Sequence, residues 1–239
     1  MKRIFLVLVI FQLSSCAELQ QVIESLPQET TGGLGLSNVD IGNGLRQALD
    51  KGIDKQVTKL TQKDGFFRNE LVKIVLPDEL RKVDKSLRDI GLDNLADEGL
   101  KVLNRAAEDA VKEATPIFVN AVKQITFNDA KQILLGNNNA ATQYLQGTTK
   151  NALYGKFNPV IKSSLSKVGA DRVWSNIIKK YNAIPFTSNV NPDLTDYVTS
   201  QALDGVYKMI AIEEGEIRTK LSSRTTDLLR KVFALQDRK

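Results

Sequence analysis

The residue types that most often carry catalysis or bind metals are nearly absent from this chain. It contains no histidine and a single cysteine, Cys16. Without histidine the chain lacks the commonest general base, the usual zinc ligands and any Cys–His nucleophile, and one cysteine cannot form an internal disulfide. Metal chemistry would have to use carboxylates, and nucleophilic catalysis would need Ser, Thr, Lys or a carboxylate. We therefore predict no metal site and no cofactor.

Cys16 ends a segment that is typical of a secretory signal. Lys2 and Arg3 precede an apolar run over residues 4–11, and Leu13-Ser14-Ser15-Cys16 follows shortly after it. The run is too short to cross a bilayer, which needs about 20 apolar residues, and has the length of a signal-peptide core. Its last four residues resemble the bacterial lipobox, in which an aliphatic residue and two small residues precede the cysteine whose thiol takes a diacylglycerol.

This motif predicts a signal peptide over residues 1–15 and a lipid anchor on Cys16. Several acyl chains hold a protein firmly, at about 0.8 kcal/mol per buried methylene. The expected location is the bacterial cell envelope, with the domain in the periplasm or at the cell surface. Ala17 follows the cysteine where aspartate would favour the inner membrane, so the outer membrane is favoured. Residues 16–40 include Gly32-Gly33-Leu34-Gly35 and are predicted as a flexible tether, which leaves 41–239 for the domain.

One carboxylate, Glu213, breaks the pattern of its predicted helix. A wheel of residues 192–217 groups an apolar arc (Val198, Ala202, Val206, Met209, Ile210) and a polar arc (Asp193, Asp196, Asp204, Lys208, Glu214, Arg218). Glu213 falls within the apolar arc, so it must be paired, protonated or at the end of the buried stretch. It is our only candidate for a catalytic residue, as a general acid. A buried ion pair with an arginine, or exposure at the helix end, is the favoured alternative.

Two polar clusters are weaker candidates for ligand binding. Asn104, Arg105 and Glu108 are one turn apart on the polar side of a predicted helix, where we favour a surface ion pair over a ligand site. Thr225, Thr226 and Asp227 could bind a polar ligand, but we favour helix capping as their role.

The rest of the chain indicates an all-α fold. From Ile41 onward the hydrophobic period is 3.6 residues without β alternation, which predicts a single multi-helix, bundle-like domain. Turn and capping residues divide it into helices at about 41–61, 77–91, 93–114, 116–125, 126–136, 139–154, 159–168, 170–181, 192–217 and 224–236. Thr126 and Asp129 are predicted to form a capping box, Asn191-Pro192 to open the longest helix, and Asn158-Pro159 to interrupt another.

Composition sets bounds on partners. Apolar residues make up 42% of the 239 residues and aromatic residues only 6%, so Leu, Ile, Val and Ala should fill an ordinary core. The formal charge is +5, or +3 once Lys2 and Arg3 are removed with the signal. Such a small, dispersed surplus predicts no nucleic-acid partner. It leaves open a weak attraction to anionic lipid headgroups.

Several separate motifs resemble one family. Residues 104–110 (NRAAEDA), 126–130 (TFNDA), 202–205 (ALDG) and 224–229 (RTTDLL) are similar, in this order, to the bacterial domain of unknown function 4197 family. The similarity covers about residues 41–236. It implies a helical envelope protein, often a lipoprotein, and no activity or catalytic residue.

Three functional hypotheses follow. The favoured one is a non-enzymatic envelope protein that binds another protein or a cell-wall component, or has a structural role. The second is binding of lipid or another apolar ligand between the helices, which requires an apolar cavity of several hundred cubic ångströms. The third is a carboxylate-dependent enzyme acting on peptidoglycan, which requires Glu213 or another acid to face an open groove.

Overall fold

The structure is a computed structural model that describes residues 36–237, apart from 77–80, 82–84, 86–87, 92, 184, 187–188, 190, 192 and the side chains of 95, 96, 173, 177, 180 and 181. The predicted signal peptide, Cys16 and the predicted tether as far as Gly35 lie outside this range. The described residues form helices α1 (Asn38–Thr61), α2 (Asp93–Val111), α3 (Ala114–Lys123), α4 (Phe127–Leu134), α5 (Ala140–Lys167), α6 (Ala170–Asn182), α7 (Leu194–Thr219) and α8 (Asp227–Phe233), with a 3-10 turn at Leu221–Ser223. They contain no strand, which confirms the all-α prediction.

Side-chain caps decide where several helices begin. Ser37 and Asp40 form a reciprocal capping box, so α1 starts three residues before the predicted Ile41. The predicted box of Thr126 and Asp129 is present at the start of α4. The prediction for α7 is wrong in detail. Its N-cap is Asp193, which accepts a hydrogen bond from the Asp196 amide at 3.1 Å, and Asn191 lies before it.

The predicted break at Asn158-Pro159 is also wrong. Helix α5 runs without interruption for 28 residues with Pro159 inside it, which makes it longer than α7 at 26 residues. An interior proline costs a helix about 3 kcal/mol. Here the buried stripe Leu145, Leu153, Phe157, Ile161 and Leu165 continues across the proline, and Pro159 itself faces solvent. The burial of that stripe on both sides outweighs the local penalty.

The predicted helix over 77–91 falls mostly outside the described residues. Within it Arg81, Lys85, Arg88 and Asp89 are helical, and the chain turns at Gly91 with a φ of 78°. At the C-terminus, α8 is shorter than the predicted 224–236, because the 3-10 turn precedes it and Thr226 caps it.

Two antiparallel helices, α5 and α7, form the centre of the domain. Thr142 contacts Glu214, Thr149 contacts Tyr207, and Tyr154 contacts Asp196, so positions early in α5 meet positions late in α7. Helix α1 packs on α7 and on α3, α4 and α8, while α6 covers the far end of α5 and α7. Leu, Ile, Val and Ala supply most of the core, as expected. None of the described helices is long and apolar enough to span a membrane.

Candidate functional site

The candidate acid Glu213 is buried between α7 and α1. Its side chain accepts a hydrogen bond from Gln56 Nε2 at 2.7 Å, and Lys55 Nζ lies 2.6 Å from Oε2 and 2.8 Å from Oε1. Gly52 makes room for it, since a Cβ there would lie 3.3 Å from Glu213 Cγ. Pairing within the protein was the favoured interpretation, but the partner is a lysine rather than an arginine.

The space beside Glu213 is small. A cavity of about 20 Å³ lies among α1, α5, α7 and α8, and its lining includes Gly52, Ile210, Glu213 and Phe233. This volume suits about one water molecule. An open substrate groove or a chamber for an apolar ligand would need several hundred cubic ångströms. The geometry at Glu213 is therefore that of an internal ion pair.

The adjacent residue Glu214 and its partner Arg218 correct the helical wheel. Both were placed on the polar arc, yet Glu214 is 8% and Arg218 only 3% exposed. Glu214 accepts hydrogen bonds from the amides of Ala141 and Thr142, at 2.9 and 2.8 Å, and from the Thr142 hydroxyl. It thus caps the N-terminus of α5, where Asn139 provides no side-chain cap.

Arg218 acts at the opposite kind of helix end. It donates to the carbonyls of Ile133 and Leu134, at 2.8 and 3.0 Å, which close α4. It also binds Glu214 Oε1 through two nitrogens at 2.8 and 2.9 Å. The carboxylate therefore meets the positive end of one helix dipole and the guanidinium the negative end of another. We call this pair the α7 clamp; it fixes the α4–α5 connection onto α7.

Two further arginines close helix C-termini in the same way. Arg224, 1% exposed, donates to the carbonyls of Ile217 and Arg218 at the end of α7, and it pairs with Asp237. Its hydrogen bond to Asp237 lowers the pKa of that carboxyl group. Arg46 donates to the carbonyl of Ile125, just after α3, at 2.5 Å.

The cluster on α2 is buried rather than superficial, which corrects its predicted place on a polar face. Asn104 is fully buried and Glu108 is 4% exposed. Asn104 accepts a hydrogen bond from the Ile74 amide at 2.8 Å and donates to the Ile74 carbonyl at 2.9 Å. Glu108 accepts from the Phe66 amide at 3.1 Å. The residues hold the non-helical segment 62–76 against α2.

Arg105 completes this latch, which we define as Asn104, Arg105 and Glu108. It pairs with Glu108 at 2.5 Å, the predicted i,i+3 pair, and with Asp64 at 2.6 Å. Burial alone would lower the pKa of Arg105, but its bonds to Glu108 and Asp64 outweigh burial and raise it. Asp64 has a positive φ of 68°. Beside it a solvent-filled surface groove of about 420 Å³ includes Lys63 and Arg68 in its lining.

The third predicted cluster caps α8. Thr226 Oγ1 accepts from the Leu229 amide at 3.2 Å and donates to Gln47 on α1 at 2.8 Å. Thr225 accepts a hydrogen bond from Lys51 Nζ, and Asp227 pairs with Arg230 at 3.0 Å. The favoured interpretation, helix capping, is what the geometry shows. Within the described part of the chain, no three Asp, Glu, Cys or His residues gather as metal ligands would.

Sequence reasoning missed the residues that receive these side chains. Lys55 and Gln56 on α1 complete the Glu213 contact from 158 and 157 positions away, and only the tertiary fold brings them there.

Fold and site together define an all-helical protein whose buried polar side chains join helix ends and a loop to their neighbours. A family model described as "Protein of unknown function (DUF4197)" matches residues 35–234, so the chain belongs to this family and the resemblance is confirmed. No curated protein and no solved structure matches the chain. Of the motifs that carried the resemblance, residues 104–110 form the latch, 126–130 the α4 cap, and 224–229 the α7–α8 corner.

Proposed function

We propose that this protein is an envelope lipoprotein with a binding or structural role and no catalytic activity. The observation that carries the proposal is the N-terminal order of a basic pair, a short apolar run and Leu13-Ser14-Ser15-Cys16. Acylation consumes the thiol of Cys16. The mature domain then has neither a thiol nor an imidazole to use in catalysis.

The contacts of the described domain support a role without catalysis. Glu213 is held by Lys55 and Gln56, and the latch residues hold segment 62–76. Glu213 would have to break these bonds before it could act as a general acid. The latch residues would have to break theirs before they could bind a ligand. The cavity of about 20 Å³ also argues against an apolar ligand at the core. A peptidoglycan-acting enzyme is the alternative if Glu213 leaves its ion pair or if another acid acts in an open groove, such as Asp64 or Glu70 in the groove beside the latch.

Acylation of Cys16 can be tested directly. Cells that express the full chain are grown with a labelled fatty acid, and the protein is captured and its membrane fraction measured. We expect label on the wild-type chain, in the membrane fraction, and none on Cys16→Ser. Ser15→Ala is the matched control, because it keeps a small residue before the cysteine and should be labelled normally. Equal labelling of Cys16→Ser, or an unlabelled wild type, would overturn the anchor.

Catalysis can be tested on the same chain. Glu213→Gln keeps the size of the side chain, removes its charge and replaces one accepting oxygen with a donating amide group. We expect purified wild type and variant to release equal, background amounts of fragments from isolated peptidoglycan. Fragment release by the wild type that Glu213→Gln abolishes, with the fold intact by circular dichroism, would instead establish the enzyme.

A further inference from the structure

The charge of the chain is concentrated in one helical hairpin. Residues 140–182, which contain α5, the turn and α6, hold seven basic residues and one acidic residue, a net charge of +6. All other positions together hold 26 basic and 27 acidic residues. The small positive surplus was described above as dispersed. The count by segment shows that this is wrong. The surplus results from a strongly basic hairpin on a nearly neutral remainder.

The described cations of this hairpin form no ion pair with a described carboxylate, although the Ser166 side chain, the Arg172 amide and the Arg172 charge lower the pKa of Asp171. Their side chains are all exposed, and none lies within ion-pair distance of an acidic side chain in the described ranges: Lys150, Lys156, Lys162, Lys167, Arg172 and Lys179. The one acidic residue, Asp171, accepts a hydrogen bond from Ser166 at 2.8 Å. The flanking acids Asp129 and Asp193 cap α4 and α7. Self-repulsion among unpaired cations is unfavourable unless an anionic partner relieves it.

Part of this charge is exposed on the last turns of α5 and on the side of α6 that faces away from the core. On α6, Trp174 and Ile178 face the core, and at 100° per residue Arg172 and Lys179 project away from it. Lys167 lies at the end of α5, next to the turn. Val168 in that turn is 61% exposed, and Phe186 after α6 is fully exposed. We call Lys162, Lys167, Arg172 and Lys179, with Val168, the hairpin surface.

The chemistry of this surface fits a lipid bilayer better than a nucleic acid. Six of the seven basic residues of the hairpin are lysines, which act as hydrated point charges, whereas specific phosphate recognition prefers the fork of arginine. Exposed apolar side chains beside lysines suit the boundary between headgroups and acyl chains. Twenty-one residues separate Cys16 from Asn38 and can reach about 70 Å when extended, so an anchor would not dictate which face meets the membrane.

We propose that the hairpin surface docks the domain onto the anionic phospholipids of the membrane that holds its anchor. The proposal rests on the proposed envelope location, and it adds a second, reversible contact to the acyl chains. Each basic residue near an anionic surface contributes about a fivefold factor to partitioning. Single contacts would be weak, and the set acts together.

The test uses mature chains, residues 16–239, with Cys16→Ser so that no acyl chain contributes. Cosedimentation is measured with vesicles of phosphatidylcholine alone and with vesicles containing an equal share of phosphatidylglycerol. The surface variant carries Lys162→Gln, Lys167→Gln, Arg172→Gln and Lys179→Gln. The matched control loses the same charge from exposed, ion-paired positions through Lys101→Gln, Lys112→Gln, Lys220→Gln and Arg230→Gln.

We expect binding only to the phosphatidylglycerol vesicles, a loss of at least about tenfold in the surface variant, and near wild-type binding in the control. Equal losses in both variants would show that net charge alone acts and would overturn the proposal. The proposal would also be overturned if the wild type did not bind the phosphatidylglycerol vesicles, or if it bound duplex DNA more tightly than these vesicles at the same salt concentration. Acylation of Cys16 is measured separately, so the anchor can stand when the docking fails.

Discussion

The hairpin α5–α6 and the rest of the domain use charge in opposite ways. Around α1, α2, α7 and α8, several cations are paired with carboxylates or helix-end carbonyls, as in Lys55–Glu213, Arg105–Asp64 and Arg218–Glu214. On the hairpin the described cations are unpaired. The first arrangement fixes helices relative to one another. The second leaves charge available to a partner, which is why we place the binding surface there and not at the buried acids.

Glycines mark the closest contacts between helices and their neighbours. A Cβ on Gly44 would lie 2.6 Å from Val232, and one on Gly205 would lie 2.8 Å from Phe66. These glycines are needed because another element approaches closely. Gly147 on α5 and Gly215 on α7 have nothing within 4 Å of the same position. Tight packing therefore constrains particular positions in both regions, and it does not follow the division by charge.

Replacing Arg218 by leucine should be the most damaging single substitution in the paired region. It leaves the buried Glu214 carboxylate without its cation and removes the donors of the Ile133 and Leu134 carbonyls. Breaking a buried pair in this way costs about 3–5 kcal/mol. Urea unfolding monitored by circular dichroism measures the loss, and Arg218→Lys, which keeps the charge, should recover part of it.

Arg172→Leu in the hairpin is the matched substitution. Because Arg172 is exposed and unpaired, we expect a change within about 0.5 kcal/mol. Similar losses at Arg218 and Arg172 would break the distinction between the two regions.

Asn104→Ala should have the next largest effect. It removes both partners of the Ile74 backbone groups while they remain buried, which costs about 1–3 kcal/mol. Hydrogen exchange should show faster exchange of the Ile74 and Phe66 amides, since segment 62–76 loses its latch, with less change in α5. Asn151→Ala on the exposed side of α5 should leave these amides unchanged. Unaltered exchange in Asn104→Ala would mean that the apolar contacts of Phe66 alone hold the segment.

The sequence predicted what depends on local signals. The helical period, the Thr126–Asp129 box and the isolated position of Glu213 are visible within one turn or one helix. The latch was misplaced because the segment that buries Asn104 has no regular pattern and lies thirty residues earlier. The α7 clamp was missed because a wheel assigns Glu214 and Arg218 to a polar arc, without knowing that two helix ends face that arc. The helix break predicted at Pro159 was wrong because the destabilisation by a proline is local. The buried apolar side chains that outweigh it lie along the whole of α5.

A pair of glycine substitutions should shift stability in opposite directions. Gly205→Ala places a methyl group against the ring of Phe66 and should destabilise by about 1–3 kcal/mol, despite the better helix propensity of alanine. Gly147→Ala meets open space and should stabilise by about 0.5–1 kcal/mol. Thermal unfolding of the two variants beside wild type measures both signs. Destabilisation by Gly147→Ala would indicate that a neighbour covers this face of α5.

Acid should weaken a helix that is capped by a carboxylate. Hydrogen bonds from the Thr126 side chain and backbone lower the pKa of Asp129 below its ordinary value of 3.8. Its stabilising contribution is therefore complete above that value and is lost as the pH falls through the lowered pKa. Asp129 is half-buried at the surface, so screening limits the effect to about 0.5 kcal/mol or less.

The measurement for Asp129 is the free energy of unfolding against pH, below and above 3.8, for wild type and Asp129→Asn. An asparagine side chain does not titrate, so the variant's curve should fall less steeply in acid. Glu113→Gln is the control, because the Glu113 side chain caps no helix, and its curve should parallel wild type. Docking to phosphatidylglycerol vesicles should persist to a lower pH than the helix caps, as long as the domain remains folded. Loss of docking together with the Asp129 transition would mean that the hairpin surface depends on the caps, and the two regions would then not act independently.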